Sequence, residues 1–314
     1  MTKHKTLAFF IPHRGCPHQC SFCDQRTISG TVQAPTPEEV TQTCQAMLER
    51  SGPLESAEIA CISFAFFGGS FTAVEPAYQI ALLEAAQPFL GEGMFSGIRI
   101  STRPDAVDSA VLERLERYHV TAVELGAQSM CDRVLYQNER GHDAQAVRQA
   151  SAMLRERGFS LGLQQMVGLY GSTLQDEYDT LEQLLACQPE TLRIYPTAVL
   201  EGTKLAEYYF RGGYPQLSQE EVLDYCADAL CRCHHAGVRV IRLGLHDTPS
   251  LREHLLAGYF HPAYGELAES RLYLRQLKAA AADCGKTELF VETAPRTMSK
   301  VLGQHGCNRK ALAE

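Results

Sequence analysis

Three cysteines close to the N-terminus have the residue type and the spacing to bind one metal centre together. Cys16, Cys20 and Cys23 follow the pattern C-x3-C-x2-C. An apolar run over residues 7–11 precedes them and predicts a strand, and prolines and a glycine then interrupt regular structure. We therefore expect the three thiols to lie on one loop after that strand. Thiolates are soft ligands that suit iron–sulfur clusters, zinc and copper.

The presence of three cysteines rather than four in this loop indicates a catalytic iron–sulfur cluster. A cubane cluster has four irons, so three local thiolates leave one iron free to bind another molecule. The spacing resembles that of the radical S-adenosylmethionine (SAM) superfamily, and Phe22 beside the third cysteine fits the same pattern. The resemblance implies that Cys16, Cys20 and Cys23 ligate a [4Fe-4S] cluster whose free iron is chelated by SAM. It also implies an oxygen-sensitive enzyme that cleaves SAM reductively to a 5′-deoxyadenosyl radical for hydrogen abstraction, with an electron donor such as flavodoxin or ferredoxin.

Two other interpretations of this loop stay open. A structural zinc site would use His13 or His18 as its fourth ligand, although zinc ligands usually form two close pairs and the chain has no second C-x2-C pair. A non-catalytic iron–sulfur redox sensor would keep the cluster without cleaving SAM. A disulfide is disfavoured because the cysteines are close together and odd in number.

Two further cysteine-containing segments each allow a functional and a non-functional interpretation. Cys231 and Cys233 lie in C-R-C-H-H, which with His234 and His235 suggests a second metal site. Residues two apart on a helix point to different faces, which disfavours binding of one ion by both thiols. Cys307 in the C-terminal tail is either a hydrogen-atom donor, a substrate contact or a free thiol.

Composition limits the kind of partner. The chain has 314 residues, 45% of them hydrophobic, which is enough for one barrel-type domain or two smaller domains. Twelve cysteines and no recognisable secretion signal or membrane segment predict a reducing, cytoplasmic location and no membrane partner. The net charge of −8 provides no general attraction to nucleic acid. We therefore favour a small-molecule substrate over tRNA, with a tRNA-modifying or RNA-binding relative as the alternative.

Strand and helix patterns alternate along most of the chain. Six strands are predicted, over residues 7–11, 59–67, 97–102, 122–126, 160–167 and 191–195, with helices between them. This order predicts an α/β fold, a partial (βα)6 barrel of the TIM type, whose functional residues follow the strands. We assign the barrel to residues 1–196 and a C-terminal α/β extension to residues 197–314. The extension is predicted to contain helices over 218–235, 265–283 and 295–302 and strands over 238–245 and 289–292.

Several motifs after these strands resemble one branch of the superfamily, the radical SAM domain of the Elongator catalytic subunit and its bacterial relatives. The chain contains, in this order, G-G-S-F-T, S-T-R-P-D, E-L-G-A-Q-S, R-G-H and I-Y-P-T. The resemblance covers residues 7–205 well. The given sequence ends where the acetyltransferase domain of Elongator would begin, so acetyl-CoA-dependent tRNA modification is not expected from these residues.

The same resemblance implies a set of SAM contacts. The methionine amino group would lie near the glycine motif, Arg140 would pair with the carboxylate, Ser101 and Gln128 would contact the ribose, and Gln164 and Tyr195 would line the ribose and adenine pocket. Together with Phe22, the implied cofactor-binding residues are Gly68, Gly69, Ser70, Ser101, Arg103, Gln128, Arg140, Gln164 and Tyr195. The segment M-V-G-L-Y-G over residues 166–171 lacks two prolines of the family motif, which weakens the adenine-side assignments. Polar segments over residues 242–247 and 261–266 are candidate substrate contacts.

Overall fold

A computed structural model of the chain describes residues 5–12, 14–17, 19–51, 62–91, 94–284 and 290–313. Seven strands form one sheet in the order β1-β2-β3-β4-β5-β6-β8, and all six neighbouring pairs are parallel. Two short strands, β7 and β9, form a separate antiparallel pair. The strands are β1 Lys5–Ile11, β2 Ile62–Gly68, β3 Ile98–Thr102, β4 Val120–Gln128, β5 Ser160–Val167, β6 Thr191–Pro196, β7 Ala198–Leu200, β8 Arg239–Leu243 and β9 Leu255–Gly258.

Helices connect the parallel strands, as right-handed crossover connections require. In chain order they are α1 Gln25–Ser29, α2 Pro37–Ser51, α3 Pro76–Ala86, α4 Ser109–Arg117, α5 Asp132–Gln137, α6 Ala144–Glu156, α7 Leu174–Ala186, α8 Lys204–Phe210, α9 Gln219–His235, α10 Pro249–His254, α11 Tyr264–Cys284, α12 Met298–Leu302 and α13 Cys307–Ala313. Capping boxes begin α7 and α9, where the pairs Thr173–Asp176 and Ser218–Glu221 bond side chain to backbone reciprocally.

The main hydrophobic core contains residues of both the sheet and the helices. Phe64 and Phe66 on β2 are completely buried, and the ring of Phe64 packs against those of Phe9 and Phe95 with centroids 5.4 and 4.8 Å away. Such continuous apolar runs are typical of parallel strands that are covered on both faces. The core therefore fixes the strands, and with them the residues that follow each strand.

The predicted fold class is confirmed, and most predicted elements are present. The strand predicted over 59–67 is β2, although its first residues lie outside the described residues. The strand predicted over 238–245 is β8, which joins the main sheet beside β6, so the sheet continues past residue 196. The division of the chain into residues 1–196 and 197–314 stays a prediction.

The prediction of a strand over residues 289–292 was wrong for the residues that the structure describes. Residue 289 lies outside the described residues, and residues 290–292 form no strand. Phe290 is 95% exposed, so this short apolar run has no neighbouring strand and buries no face. Hydrophobic residue types alone led to the wrong assignment.

Two other findings concern the chain as a whole. Within the described ranges, no helix combines the length and the apolar character needed to cross a bilayer. Ten of the cysteines in the described ranges are free thiols.

Candidate active site

The loop that carries the three cysteines packs tightly against the end of β2. The backbone N–H of Gly69 donates to the carbonyl of Ile11 over 2.8 Å, and that of Ser70 donates to the carbonyl of Arg14 over 3.0 Å. A Cβ atom at Gly69 would overlap the Arg14 carbonyl, and one at Gly15, where φ is 75°, would overlap the Ser70 carbonyl. The glycines are thus required for this close approach of two backbones.

The far side of the same loop is held by Asn138. The Ser21 hydroxyl donates to Asn138 Oδ1 over 2.9 Å, and the Ser21 N–H donates to the Asn138 carbonyl over 3.2 Å. The Leu205 N–H at the start of α8 donates to the Ser21 carbonyl over 2.7 Å. Asn138 is completely buried. The cysteine loop is therefore fixed from behind by α5 and α8 and from the side by β2.

One cavity joins the three cysteines to residues at the C-terminal ends of β2, β3 and β4 and to Gln164 on β5, and we call it the cluster pocket. Its walls combine thiols, glycine backbone, amides and guanidinium groups. The lining residues are Cys16, Gln19, Cys20, Phe22, Cys23, Gln25, Gly68, Gly69, Ser101, Thr102, Arg103, Gly126, Gln128, Arg140 and Gln164.

Arg140 connects the cysteine loop with the end of β4. Its Nη1 donates to the Cys20 sulfur over 3.0 Å, and its Nη2 donates to the Gly126 carbonyl over 2.6 Å. Its Nε is buried and has no hydrogen-bond partner among the described residues. A buried cation with a free donor in a cavity is suited to bind an anionic group.

Arg103 and Gln128 also present unsatisfied polar atoms. Arg103 pairs with Asp105 through two 2.9 Å contacts and donates to the Arg140 carbonyl, but its Nη1 is buried without a partner in the described part of the chain. Gln128 follows a bulge in β4 and has a φ of 68°, which is uncommon for a residue with a side chain. Its Oε1 is likewise buried without a partner there. Such atoms need a ligand to satisfy them.

Cys16 and Cys23 are in surroundings that favour the neutral thiol. Burial raises the pKa of Cys16, and electrostatic interaction with Cys20 raises it further. Burial also raises the pKa of Cys23, and both other cysteines add to this effect. Metal ions overcome such a shift, because a coordinating thiol is deprotonated by the charge of the ion. Three sulfur donors around one cavity thus fit an iron–sulfur cluster.

Comparison with protein families decides the assignment of the chain. The profile of the radical SAM superfamily matches residues 10–184, and that of the radical SAM C-terminal domain matches residues 189–274. The first match alone covers more than half of the chain. This chain belongs to the radical SAM superfamily.

Several known proteins are similar in sequence to this radical SAM enzyme. The tRNA uridine(34) acetyltransferase of Dehalococcoides mccartyi is 27% identical over 236 residues, which cover 63% of this chain and 50% of that protein. Protein YhcC of Escherichia coli K12 is 24% identical over 226 residues, or 71% of this chain and 69% of YhcC. The chain spans about half the length of the tRNA uridine(34) acetyltransferases that it matches.

A solved structure confirms the fold. The archaeal Elp3 of Methanocaldococcus infernus, with an N-terminal deletion, has a TM-score of 0.68 and 21% sequence identity to this chain. The similarity covers 87% of this chain and 63% of that one. The predicted resemblance to the Elongator branch of the radical SAM superfamily is thus confirmed at the level of family and fold.

The cluster pocket contains most, not all, of the predicted cofactor residues. Ser70 and Tyr195 are not among its described lining residues, and the Ser70 hydroxyl instead bonds Thr102 Oγ1 over 2.8 Å. The prediction omitted Gln19, Gln25, Thr102 and Gly126, which do line it. Thr102 and Gly126 lie inside motifs that had been recognised, so their position after a strand was the available signal. The individual SAM contacts stay predictions.

A second polar region lies deeper in the barrel of this radical SAM enzyme, and the sequence analysis did not predict it. Glu124 on β4, whose side chain is 2% exposed, pairs with Arg99 on β3 over 2.9 Å and with Arg193 on β6 over 2.5 Å. Gln164 donates to Glu124 over 3.5 Å, and Arg193 Nη1 donates to the Tyr195 hydroxyl over 3.4 Å. We call these five residues the arginine network. Charged residues inside otherwise apolar strands were the signal that could have revealed it.

The other cysteine segments do not assemble a metal site in the described ranges. No group of three or more histidine, cysteine or acidic side chains there, the three loop cysteines included, is placed to bind a single metal ion. In a cubane cluster each thiolate binds a different iron, so this single-ion criterion does not apply to it. Cys233 is completely buried, whereas Cys231 lies 3.6 Å from His235 Nδ1 on the same helix. Cys307 is exposed at the start of α13. His13 and His18, the alternative zinc ligands, lie outside the described residues.

Proposed function

We propose that Cys16, Cys20 and Cys23 ligate a [4Fe-4S] cluster and that the cluster pocket binds SAM beside it. The observation that carries this proposal is the meeting of three thiols and two buried, partly unsatisfied arginines in one cavity. When bound, the cluster supplies the electron that cleaves SAM to a 5′-deoxyadenosyl radical, which abstracts hydrogen from the substrate. The electron would come from a donor such as flavodoxin or ferredoxin in a reducing, cytoplasmic environment.

The side chains of the pocket would orient SAM by their unsatisfied atoms. Arg140 Nε and Arg103 Nη1 are donors suited to the SAM carboxylate, and Gln128 Oε1 is an acceptor suited to a ribose hydroxyl. Phe22 and Ser101 complete the walls and exclude water from the reacting atoms. Gly68 and Gly69 leave room for the methionine end because they have no side chains.

We propose a small molecule as the substrate. The net charge of −8 disfavours a polyanion, because binding of tRNA depends on phosphate contacts with lysine and arginine. The names of the acetyltransferase relatives favour tRNA as the second candidate. A mobility-shift titration with tRNA at several salt concentrations separates the two: affinity with a steep salt dependence would contradict the small-molecule proposal.

The catalytic proposal is tested with anaerobically purified and reconstituted protein. We expect about four irons per chain and, after addition of dithionite and SAM, formation of 5′-deoxyadenosine detected by chromatography. The variant Cys20→Ala is expected to lose the cluster and this product. Cys231→Ala is the matched control, since it removes a partly buried thiol on α9 and should change neither measurement.

Two outcomes would contradict the proposal in different ways. A single zinc ion in place of the cluster would support the structural-zinc alternative. A cluster that is retained without any 5′-deoxyadenosine would support the redox-sensor alternative. Equal iron loss in Cys20→Ala and Cys231→Ala would indicate general misfolding rather than removal of a ligand.

A further inference from the structure

Two arginines lie next to each other on neighbouring strands of the barrel. Arg193 on β6 pairs in register with Arg242 on β8, and because the strands are parallel, both side chains leave the sheet on the same face. That face is the interior, since the Arg193 guanidinium bonds Glu124 and lies 5.0 Å from the ring centroid of Phe67 on β2. Like charges in directly paired positions of two strands are destabilising. The pair therefore needs a compensating negative group.

The described residues do not provide enough negative charge to compensate this pair. Glu124 is already shared by Arg99 and Arg193, and no described carboxylate pairs with Arg242. Nε and Nη2 of Arg242 instead donate to the carbonyls of Gly244 and Leu245, each over 2.7 Å. Three guanidinium groups thus face one carboxylate. Burial lowers the pKa of Arg242, which agrees with a cation held in place without a counter-ion.

Neutral donors and the cluster pocket adjoin the two arginines. The Tyr195 hydroxyl accepts a hydrogen bond from Arg193, and its own proton has no acceptor among the described residues. Gln164, which lines the cluster pocket, pairs in register with Arg193. Two strand spacings of about 4.8 Å therefore separate the backbone of Gln164 from that of Arg242. A group bound at Arg242 would lie in the same interior as SAM.

We infer that Arg242, Arg193 and Tyr195 form an oxyanion subsite that binds a carboxylate or phosphate group of the small-molecule substrate. This inference rests on the proposed function, because only a radical SAM reaction in the cluster pocket makes a neighbouring anion a substrate. Arg242 provides the accessible charge, since its Nη1 is not engaged by the described residues. Arg193 adds a second positive charge on the neighbouring strand, and the Tyr195 hydroxyl donates a hydrogen bond to the bound anion.

The subsite is tested by calorimetric titration of the reconstituted full chain in the presence of SAM. Inorganic phosphate and succinate are the two probes, in separate titrations, so that a phosphate site is distinguished from a carboxylate site. We expect at least one probe to bind with a single site. Arg242→Gln should weaken this binding about tenfold or more, and Arg242→Lys should weaken it less because the charge is kept.

Arg239→Gln is the matched control, because Arg239 is an exposed arginine three positions earlier on the same strand. Binding should be unchanged in this variant. The inference is overturned if neither probe binds, if Arg242→Gln binds as well as the unchanged chain, or if Arg239→Gln weakens binding equally. In a second titration without SAM, tighter binding of the probe than with SAM would assign the subsite to the cofactor and overturn the inference. Displacement of the probe by tRNA would contradict a small-molecule substrate.

A parallel assay of 5′-deoxyadenosine keeps the two proposals separate. Protein that cleaves SAM without binding either probe contradicts only the subsite. Protein that binds a probe, with the expected loss in Arg242→Gln, but never cleaves SAM contradicts the proposed function and supports an anion site alone.

Discussion

Strands of the same sheet form both the cluster pocket and the arginine network, but the two regions differ in how their buried polar atoms are hydrogen-bonded. In the pocket, Arg103, Arg140 and Gln128 each keep a buried atom without a partner in the described residues. In the network, Glu124 is bonded on both oxygens, and Arg193 uses all three of its nitrogens. Only Arg99 Nε is left without a partner there.

This difference indicates separate roles for the polar atoms of the two regions. Unsatisfied buried polar atoms cost free energy, so they persist where a bound molecule satisfies them. The ion pairs of Glu124 are satisfied within the chain and fix the strands that contribute to them. Glu124 joins β3, β4 and β6 by ion pairs, and β3 and β4 also carry residues of the pocket. These ion pairs therefore position the pocket, while Gln164 of the network also lines it.

Breaking the network should have the largest effect on stability. Glu124→Gln would leave two half-buried arginines without their shared counter-ion, and we expect the free energy of unfolding to fall by about 3–5 kcal/mol. Denaturant unfolding measures this loss. Glu116→Gln is the control, since Glu116 is 38% exposed and its pair with Arg157 is worth less than about 1 kcal/mol. Similar losses in both variants would show that the network does not hold the barrel.

A change in the pocket should have the opposite effect on stability. Gln128→Gly removes a side chain from a residue with positive φ, so we expect the free energy of unfolding to rise by about 1 kcal/mol. SAM affinity should fall about tenfold, because a buried acceptor for the ligand is lost. Equilibrium binding and denaturant unfolding of the same variant test both parts.

Gln188→Gly is the matched control for this prediction. Gln188 also has positive φ, at 53°, but it is exposed and lies after α7, away from the pocket lining. It should gain similar stability and keep its SAM affinity. If Gln128→Gly instead loses stability and binds SAM normally, the residue belongs to the supporting structure and not to the ligand site.

The same contrast explains how much the sequence could predict. The pocket was largely predictable, because its residues are grouped in short motifs after strands, and a cysteine loop or a glycine pair is informative by itself. The arginine network was not, because Arg99, Glu124 and Arg193 are far apart in sequence and belong to three strands. Their partnership depends on strand register, which the near-continuous apolar runs of parallel strands do not specify because they lack an alternating pattern.

Some local features also required the structure. The role of Gly69 was predicted from its position, but its tight packing against Arg14 depends on how the loop folds back. Ser70 was predicted to contact SAM, whereas its hydroxyl bonds Thr102 and its backbone holds the cysteine loop. A motif shows which residues act together, and it does not show which of them face the ligand.

The smallest predicted effect is a change in the pKa of His142, which the positive charge of Arg140 in the pocket influences. Burial lowers the pKa of His142 to about 4, and the positive charge of Arg140 contributes to the shift. Arg140→Gln should therefore raise the pKa of His142, as measured by NMR titration. Arg99→Gln is the control: Glu124 already neutralises Arg99, so its removal should leave the titration of His142 unchanged. Equal shifts of the His142 pKa in both variants would mean that Arg140 and Arg99 affect this histidine to the same extent, which contradicts the prediction.

The same shift predicts how stability depends on pH. An unfolded histidine has a pKa near 6.5, so between about pH 6.5 and pH 4 the unfolded chain binds more protons at His142 than the folded chain does. Stability should therefore be lost as the pH falls through this range. In Arg140→Gln the folded pKa is closer to 6.5, so the loss over the same range should be smaller. A steeper loss in that variant would mean that the folded pKa of His142 is lower without Arg140, which contradicts the prediction.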